Sequence, residues 1–270
     1  MKHIFALVLV FTFTASTSLL AQENDNEWQP KNSYFSFEGE MIFSLAEIEE
    51  SSELDYRQNL RWSPVFNLAW HYNYDVTDYL GFNLGLGIRN VGFIAKADPI
   101  DQKIIDEEGN ETIVKVGMDI EDNDIDRVKY RNYNLGIPIG FKVGRLDQKR
   151  PLFLFAGYEI EFPFHYKEKE FDGNDKLRKR TDWFSPKTNN FQQAAFVGFQ
   201  LPQGLSLKFK YYLTDFFDSD FEQFVEVDGV DVSATTRIKP FENFNARVFY
   251  MSLTWFPFED LNYTRHKGGW

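Results

Sequence analysis

The feature that most constrains this fold is a strict alternation between large apolar residues and small or polar residues. The stretch YNLGIPIGFKV (133–143) carries Tyr, Leu, Ile, Ile, Phe and Val on one face and Asn, Gly, Pro, Gly and Lys on the other. A period of two predicts a β-strand whose two faces meet different surroundings. The chain must therefore form a sheet with one large apolar face and one small, polar face.

Eight segments share this alternation, and each exceeds the roughly 9–11 residues that a tilted strand needs to cross a bilayer. They are 33–45, 63–75, 79–95, 131–144, 151–167, 191–202, 204–217 and 244–258. The connections after the second, fourth and sixth segments are short, and the others are long, polar and mostly acidic. Outer-membrane barrels have this order of short periplasmic turns and long extracellular loops. We therefore predict an all-β fold, an eight-stranded antiparallel up-and-down transmembrane β-barrel over 33–258 with long extracellular loops.

Three of the long connections differ in their expected structure. The stretches 103–116 and 224–238 each place a glycine-containing turn between two β-prone runs, which predicts a hairpin that projects from the membrane. The connection at 168–187 has balanced charge and is predicted to be a polar loop.

The glycines indicate which face of the sheet points inward. A soluble sandwich or barrel would bury the apolar face and leave the charged residues in water. Glycines such as Gly81, Gly85 and Gly140 would then lie on exposed strands, which they weaken. The same glycines suit the crowded interior of a narrow barrel, so we predict that the apolar face contacts lipid. The residues predicted to face lipid are Leu84, Leu86, Leu135, Ile137, Ile139, Phe141, Leu207 and Phe209.

The interior of an eight-stranded barrel is just wide enough for side chains to fill it. We predict a structural network of acidic and basic side chains there, because a buried charge without a partner is strongly destabilising. A general diffusion pore is not expected, and a path for protons or ions is the alternative role of these residues. The predicted network consists of Glu38, Glu40, Arg89, Lys142, Glu159, Glu161, Lys208 and Lys210.

Aromatic residues make up 18% of the chain and gather near the ends of the predicted strands. Paired aromatic belts are a feature of membrane interfaces. The predicted periplasmic belt contains Trp70, Tyr72, Tyr74, Trp255, Phe256 and Phe258, and the predicted outer belt contains Trp62, Tyr130, Tyr133, Phe164 and Tyr166.

The N-terminal sequence predicts export to the outer membrane. Residues 1–21 combine a charged start, an apolar run and small residues before the expected cleavage site, as in a signal peptide. We expect 22–32 to be a periplasmic segment before the first strand and 259–270 to be a C-terminal periplasmic tail. The sequence has no cysteine, so neither a disulfide framework nor a cysteine-linked lipid is expected. A net charge of -12 argues against a nucleic-acid partner.

Two groups of residues suggest further chemistry. His71 and His165 suggest a lipid A-modifying enzyme, but no serine lies two residues from either histidine on its own strand. The run DIEDNDID (119–126) offers Asp122, Asp124 and Asp126 as calcium ligands, but it lacks the glycine and glutamate of the helical calcium loop. A solvated acidic loop, or one bridged by divalent cations to lipopolysaccharide phosphates, is the alternative. We expect no catalytic residue, no cofactor and no metal site.

Four stretches carry a resemblance to a known family: YLGFNLGLGI (79–88), LGIPIGFKVG (135–144), PLFLFAGYE (151–159) and a signal peptide ending in AQ. They resemble the small outer-membrane β-barrel proteins of Bacteroidetes-type bacteria, the porin-family or PorT-like group. The resemblance covers most of 33–258. It implies an eight-stranded barrel that the barrel-assembly machinery inserts into the outer membrane of a Gram-negative cell. Such chains commonly end on an aromatic residue of the last strand, whereas twelve residues follow Phe258 here.

These observations predict a non-enzymatic outer-membrane protein with a structural, anchoring or surface-interaction role. An accessory subunit of an envelope secretion or transport complex is the alternative that the PorT-like resemblance implies, and a lipid A-modifying enzyme is the third. The expected partners are outer-membrane lipid and lipopolysaccharide, the barrel-assembly machinery, and an envelope protein bound through the acidic extracellular loops.

Overall fold

The structure is a computed structural model that describes the sheet and the loops nearest to it. The described residues are 33–50, 58–96, 100–105, 111–116, 127–146, 151–202, 204–224, 237–242 and 244–255. The predicted signal peptide, the segment 22–32, the end of the last predicted strand and the tail 259–270 lie outside these residues.

The described residues form fourteen β-strands, and no helix among them is long and apolar enough to cross a membrane. The strands are β1 (Ser33–Glu50), β2 (Gln58–Asn59), β3 (Arg61–Asp75), β4 (Leu80–Lys96), β5 (Ile100–Ile105), β6 (Glu111–Val116), β7 (Arg127–Arg145), β8 (Leu152–Asp172), β9 (Asp175–Trp183), β10 (Gln192–Gln200), β11 (Leu205–Tyr212), β12 (Gln223–Phe224), β13 (Arg237–Ile238) and β14 (Phe244–Trp255).

The long strands form one antiparallel sheet that closes on itself in a ring. The path of hydrogen-bonded neighbours runs β1, β3, β4, β7, β8, β10, β11, β14 and back to β1. The last strand therefore pairs with the first, from Gly39 opposite Trp255 to Glu50 opposite Phe244. The short connections follow β3, β7 and β10, as the sequence predicts. Each strand of the ring thus has a hydrogen-bonded neighbour on both sides, which an open sheet does not provide.

One long connection is a ribbon and not a loop. β7 begins at Arg127 and β8 continues to Asp172, so this strand pair extends well past the predicted segments. The chain then turns at Gly173, with φ at 52°, and β9 pairs with β8. The prediction of a polar loop at 168–187 is wrong for most of its length. The alternation of HYKEKE (165–170) continues the strand pattern with charged residues in place of apolar ones.

The seventh predicted segment ends too late, because β11 stops at Tyr212. Phe216 and Phe217 leave the strand and are 2% and 1% exposed in the ring interior. Both contact Phe93 edge-on, with ring centroids 5.4 and 6.2 Å apart, and Phe217 stacks on Phe241 at 4.1 Å. An apolar cluster therefore fills the end of the ring that carries the long connections, which we call the loop side, and part of the connection between β11 and β14 folds back into it.

The two predicted hairpins are described to different extents. β5 pairs with β6 from Ile100 opposite Val116 to Ile105 opposite Glu111, which confirms the hairpin predicted at 103–116. The second hairpin is described only at its base, where Gln223 pairs with Ile238 in β12 and β13. Its remaining residues, 225–236, lie outside the described residues.

Candidate functional site

The candidate site is the set of charged side chains inside the ring. All eight residues predicted for the interior network are buried, with exposures from 0% to 5%. Seven of them lie together, and Lys142 lies apart. The seven residues are Glu38 and Glu40 on β1, Arg89 on β4, Glu159 and Glu161 on β8, and Lys208 and Lys210 on β11. We call them the interior ion network.

The four strands of the interior ion network are every second strand of the ring, so they face one another across its interior. β1 and β8 lie opposite each other and supply the carboxylates. β4 and β11 lie opposite each other and supply the cations. The sign of the charge therefore alternates around the ring, and each strand of one charge is attracted to both strands of the other. No two of these strands are hydrogen-bonded neighbours, so the network braces the ring across its interior.

Lys210 and Arg89 hold the carboxylates of β8. Lys210 Nζ lies 2.5 Å from Glu159 Oε2 and also binds Glu161 Oε1, while Arg89 Nε donates to Glu159 Oε1 at 2.6 Å. Glu161 accepts two further hydrogen bonds, from Tyr212 Oη at 2.7 Å and from Asn134 Nδ2 at 2.6 Å. Buried carboxylates satisfied in this way are compatible with a water-poor interior.

The carboxylates of β1 are held by Lys208 and Arg89. Lys208 Nζ lies 3.0 Å from Glu38 Oε1 and is also paired with Glu40 Oε1. Arg89 lies 3.8 Å from Glu38 and 3.7 Å from Glu40, so it connects the β1 carboxylates to Glu159. His71 Nε2 lies 2.7 Å from Glu38 Oε2.

Lys142 forms a separate group near the end of the ring that carries the short turns, which we call the turn side. Its Nζ lies 2.7 Å from Asp75 Oδ1, and it donates to Tyr34 Oη at 3.0 Å and to Asn73 Oδ1 at 3.2 Å. The prediction included Lys142 in one network with the other seven. The structure instead gives it Asp75, a residue at the end of β3 that the sequence analysis did not select.

Glycines give the interior side chains their space. A Cβ on Gly85 would lie 2.7 Å from both His71 Nδ1 and Pro138 Cγ. A Cβ on Gly136 would collide with the Glu159 carboxylate. These glycines face inward, where neighbouring side chains take up the volume that a methyl group would need.

The opposite face of the ring exposes large apolar side chains. Six of the eight residues predicted to face lipid are exposed, among them Leu84 at 51% and Ile139 at 52%. The other two, Ile137 and Leu207, are partly exposed. Further exposed apolar side chains on the strands of the ring are Phe82, Ile88, Val143, Leu154, Phe162, Val197 and Phe199.

The two predicted aromatic belts are only partly correct. Trp70, Tyr72 and Tyr74 are exposed near the turn side, whereas Tyr130 and Tyr166 point inward and pack in the apolar cluster. The predicted members whose side chains lie outside the described residues are Trp62, Trp255, Phe256 and Phe258. Trp183 and Phe184, which were not predicted, are exposed at the loop side.

A β-bulge accounts for the placement of His165. Asn134 pairs with Pro163 but Tyr133 pairs with His165, so Phe164 is an extra residue on β8. The bulge reverses the alternation beyond it, and His165 packs between the rings of Tyr133 and Trp183 at 5.6 and 4.8 Å. Regular alternation along 151–167 predicts His165 on the same face as Glu161. That prediction is wrong, because the sequence pattern does not reveal the bulge.

Arg61 is a buried residue that the sequence analysis missed. Its Nη1 donates to the carbonyls of Asn90 and Gly92 at 3.3 and 3.2 Å, and its Nη2 binds Asn90 Oδ1. The ladder between β3 and β4 begins only at Leu68, so Arg61 binds β4 carbonyls that have no ladder partner on β3, together with Ser44 Oγ, which donates to the Gly92 carbonyl at 2.8 Å. A proline within a strand is a signal of a bulge, and Pro64 could have indicated this irregularity.

The remaining candidate chemistry has little support among the described residues. His71 contacts Glu38 inside the ring and His165 lies on the outward face, so the two histidines do not share a site. In the part of the chain that the structure describes, no group of acidic or histidine residues is arranged to hold a metal ion. The candidate calcium ligands Asp122, Asp124 and Asp126 lie outside that part.

No protein-family model matches this chain, and no curated protein matches it. Among solved structures, the chain is similar to Ail, the attachment invasion locus protein of Yersinia pestis, solved in complex with the heparin analogue sucrose octasulfate. The sequences are 10% identical, the match covers 82% of this chain and 97% of that chain, and the TM-score is 0.24. A similarity this distant carries no argument about the function of this chain.

Proposed function

We propose that this chain is an eight-stranded transmembrane β-barrel of the outer membrane, with a structural, anchoring or surface-interaction role and a closed lumen. The observation that carries the proposal is the reversed distribution of polarity. Glu40, Arg89 and Glu159 are fully buried inside the ring, while Leu84 and Ile139 are more than half exposed outside it.

The energetic argument favours hydrocarbon around the ring. Burying one large aliphatic side chain contributes about 1.5–3 kcal/mol relative to leaving it in water. A soluble monomer rarely exposes a contiguous apolar patch of more than a few hundred Å². Here, exposed apolar residues occur on successive strands of the ring, from Phe82 on β4 to Phe249 on β14. A closed sheet also satisfies its backbone groups internally, which a hydrocarbon environment requires.

The packing of the lumen supports a closed barrel and not a pore. The interior ion network and the apolar cluster around Phe93 and Phe217 occupy successive levels of the ring interior. Arg89, which joins carboxylates of the opposite strands β1 and β8, is 0% exposed, and Lys210 is 1% exposed. A general diffusion pathway would need water at this level.

The test is insertion of the chain without residues 1–21 into lipid vesicles, followed by quenching of its tryptophan fluorescence with lipids brominated at different depths. We expect a protease-resistant, β-rich form that is quenched through the acyl chains, and no large, stable conductance in planar bilayers. A water-soluble, folded monomer without detergent would overturn the membrane assignment. A large, stable conductance would overturn only the closed lumen.

The finer assignments remain part of this proposal. The PorT-like resemblance rests on the strand motifs alone, and an accessory role in a secretion or transport complex depends on it. Co-purification from native outer membranes tests that role, since a stoichiometric partner would favour it. We propose no enzymatic role, because His71 and His165 lie on opposite faces of the sheet and neither has a serine two residues away on its own strand. Unchanged lipid A mass spectra in cells without the protein are the expected result.

A further inference from the structure

Five cationic side chains lie together on the outward face of the ribbon formed by β7, β8 and β9. The register places Arg131 beside Lys167, and it places Lys129 beside Lys169, which lies beside Lys179 on β9. These residues alternate with inward-facing residues such as Val128 and Asn132, which are buried. Lys129, Arg131, Lys167 and Lys169 line one shallow depression. We call the five residues the cationic patch.

The cationic patch continues the outward face that exposes the apolar residues. Along β7 the outward residues pass from Leu135 to Tyr133 and then to Arg131 and Lys129. Tyr133, His165 and Trp183 form an aromatic row between the apolar residues and the patch. Each step of two residues is roughly 6.6 Å along a strand. Because barrel strands are tilted, this step corresponds to a height of about 5 Å along the barrel axis.

These heights match the layers of a membrane surface. The two rows of the cationic patch lie roughly 5 and 10 Å beyond the aromatic row, by the same geometry. The polar headgroup layer adds about 5–8 Å to each side of the hydrocarbon core, and aromatic residues concentrate at the boundary between the two. When the apolar face lies in hydrocarbon, the row of Arg131 and Lys167 is therefore at the level of the lipid headgroups. The row of Lys129, Lys169 and Lys179 lies at the outer edge of that layer.

The residues that the structure describes supply little counter-charge to the patch. Among the described residues, none of the five cations forms an ion pair with a carboxylate. The nearby Glu168 and Glu170 point inward, where Glu168 accepts a hydrogen bond from Tyr166 at 2.8 Å and Glu170 lies 3.8 Å from Arg178. Like charges directly opposite on neighbouring strands are destabilising. The arrangement is notable in a chain with a net charge of -12, where acidic residues are plentiful.

The patch also has a pre-organised arginine and a lysine with an unusual pKa. Arg131 Nη1 donates to Tyr133 Oη at 3.1 Å, and its guanidinium carbon lies 5.8 Å from the centre of that ring. Burial and the neighbouring charges of Arg131, Arg61 and Lys169 lower the pKa of Lys129 to about 8. A nearby anion would favour the charged form of this lysine.

We infer that the cationic patch binds the phosphate groups of an outer-leaflet glycolipid, as found on the lipid A part of lipopolysaccharide. The planar guanidinium of Arg131 can bind a phosphate through two parallel N–H donors, and the lysines supply point charges around it. Lipid is favoured over a dissolved anion because the patch lies directly beyond the aromatic row and faces the surrounding membrane. The inference rests on the proposed function, since it requires the apolar face to lie in the outer leaflet.

The test uses the chain without residues 1–21, inserted in phosphatidylcholine vesicles that contain bisphosphorylated lipid A, dephosphorylated lipid A or neither. Retained lipid A is counted by native mass spectrometry after extraction in mild detergent. The variant is Arg131→Gln with Lys167→Gln. The matched control, Arg178→Gln with Arg180→Gln, removes the same charge from the opposite face of the same ribbon, where the two arginines lie opposite Glu170 and Glu168. Protease resistance and circular dichroism check that every variant has folded.

We expect the wild type and the control to retain bisphosphorylated lipid A, and the patch variant to lose roughly 10–30-fold in affinity from two cationic contacts. Equal retention of dephosphorylated lipid A would overturn the inference, as would equal losses in the two variants. Competition by inorganic phosphate at concentrations comparable to the lipid would identify a dissolved anion as the ligand and overturn the lipid source. Failure of the wild type to insert would instead contradict the proposed function, because insertion into phosphatidylcholine does not depend on the patch.

Discussion

Replacing Lys210 with methionine tests whether the interior ion network is a water-poor structural brace. Lys210 Nζ contacts Glu159 Oε2 at 2.5 Å and also binds Glu161 Oε1. Methionine keeps much of the side-chain volume but removes the charge. Glu159 retains Arg89 at 2.6 Å. Glu161 retains only uncharged partners among the described residues, namely Tyr212 and Asn134.

The expected loss is large because Glu161 would remain buried without a counter-charge. Removing one partner of a buried ion pair costs about 3–5 kcal/mol, a large fraction of the roughly 5–15 kcal/mol that stabilises a typical domain. Adding Glu161→Gln to Lys210→Met removes the unpaired charge while Tyr212 Oη can still donate to the amide oxygen. We expect this double variant to recover most of the lost stability.

The assay is reversible urea unfolding of the vesicle-inserted chain, followed by tryptophan fluorescence, with the free energy of unfolding obtained by linear extrapolation. The control is Lys239→Met, which removes an exposed ion pair in which Lys239 Nζ lies 3.0 Å from Asp220 Oδ1. This change should leave the stability unchanged. A Lys210→Met loss no greater than that of the control would refute the reasoning and indicate a hydrated lumen. A double variant no more stable than the single variant would refute the assignment of the loss to Glu161.

Three further predictions concern other parts of the fold. Gly85→Ala should lower the free energy of unfolding by about 1–3 kcal/mol, because the new methyl would lie 2.7 Å from both His71 Nδ1 and Pro138 Cγ. Adding Pro138→Ala should restore part of the loss in the same titration, and an unchanged stability for Gly85→Ala would contradict the packing. Phe217→Ala should cost about 3–5 kcal/mol and expose the adjacent loop to limited proteolysis, whereas unchanged cleavage would show that this loop does not depend on the apolar cluster. Dimethylation of the lysines followed by NMR titration should find the pKa of Lys129 at about 8, lowered by burial and by Arg131, Arg61 and Lys169. Charged Lys129 disfavours the folded state, so this unfavourable contribution to stability should be present below about pH 8 and should fall as the pH rises through this pKa. Arg131→Gln should raise the titration midpoint of Lys129. An ordinary lysine midpoint in the wild type would contradict the described environment.

The alternation of residue types allowed the strands and their faces to be predicted from the sequence. Inward and outward positions differ by parity along a strand, so a local pattern such as the one at 133–143 suffices to place Gly136 inside and Leu135 outside. The same parity placed Glu40 and Arg89 inside before any pairing was known. Parity fails only where the backbone departs from regular pairing. It failed for His165, because the bulge at Phe164 depends on how β8 meets β7.

The tertiary structure decided which side chains meet. Ring closure sets β1 opposite β8 and β4 opposite β11, and this alone brings Arg89 into contact with Glu159, seventy residues away. Closure also leaves Lys142 near Asp75 and admits Phe216 and Phe217 to the interior, because the space inside a barrel depends on every strand at once. One strand's sequence records which face is apolar. It does not record the height at which that face meets its neighbours, and that height determines which charges pair.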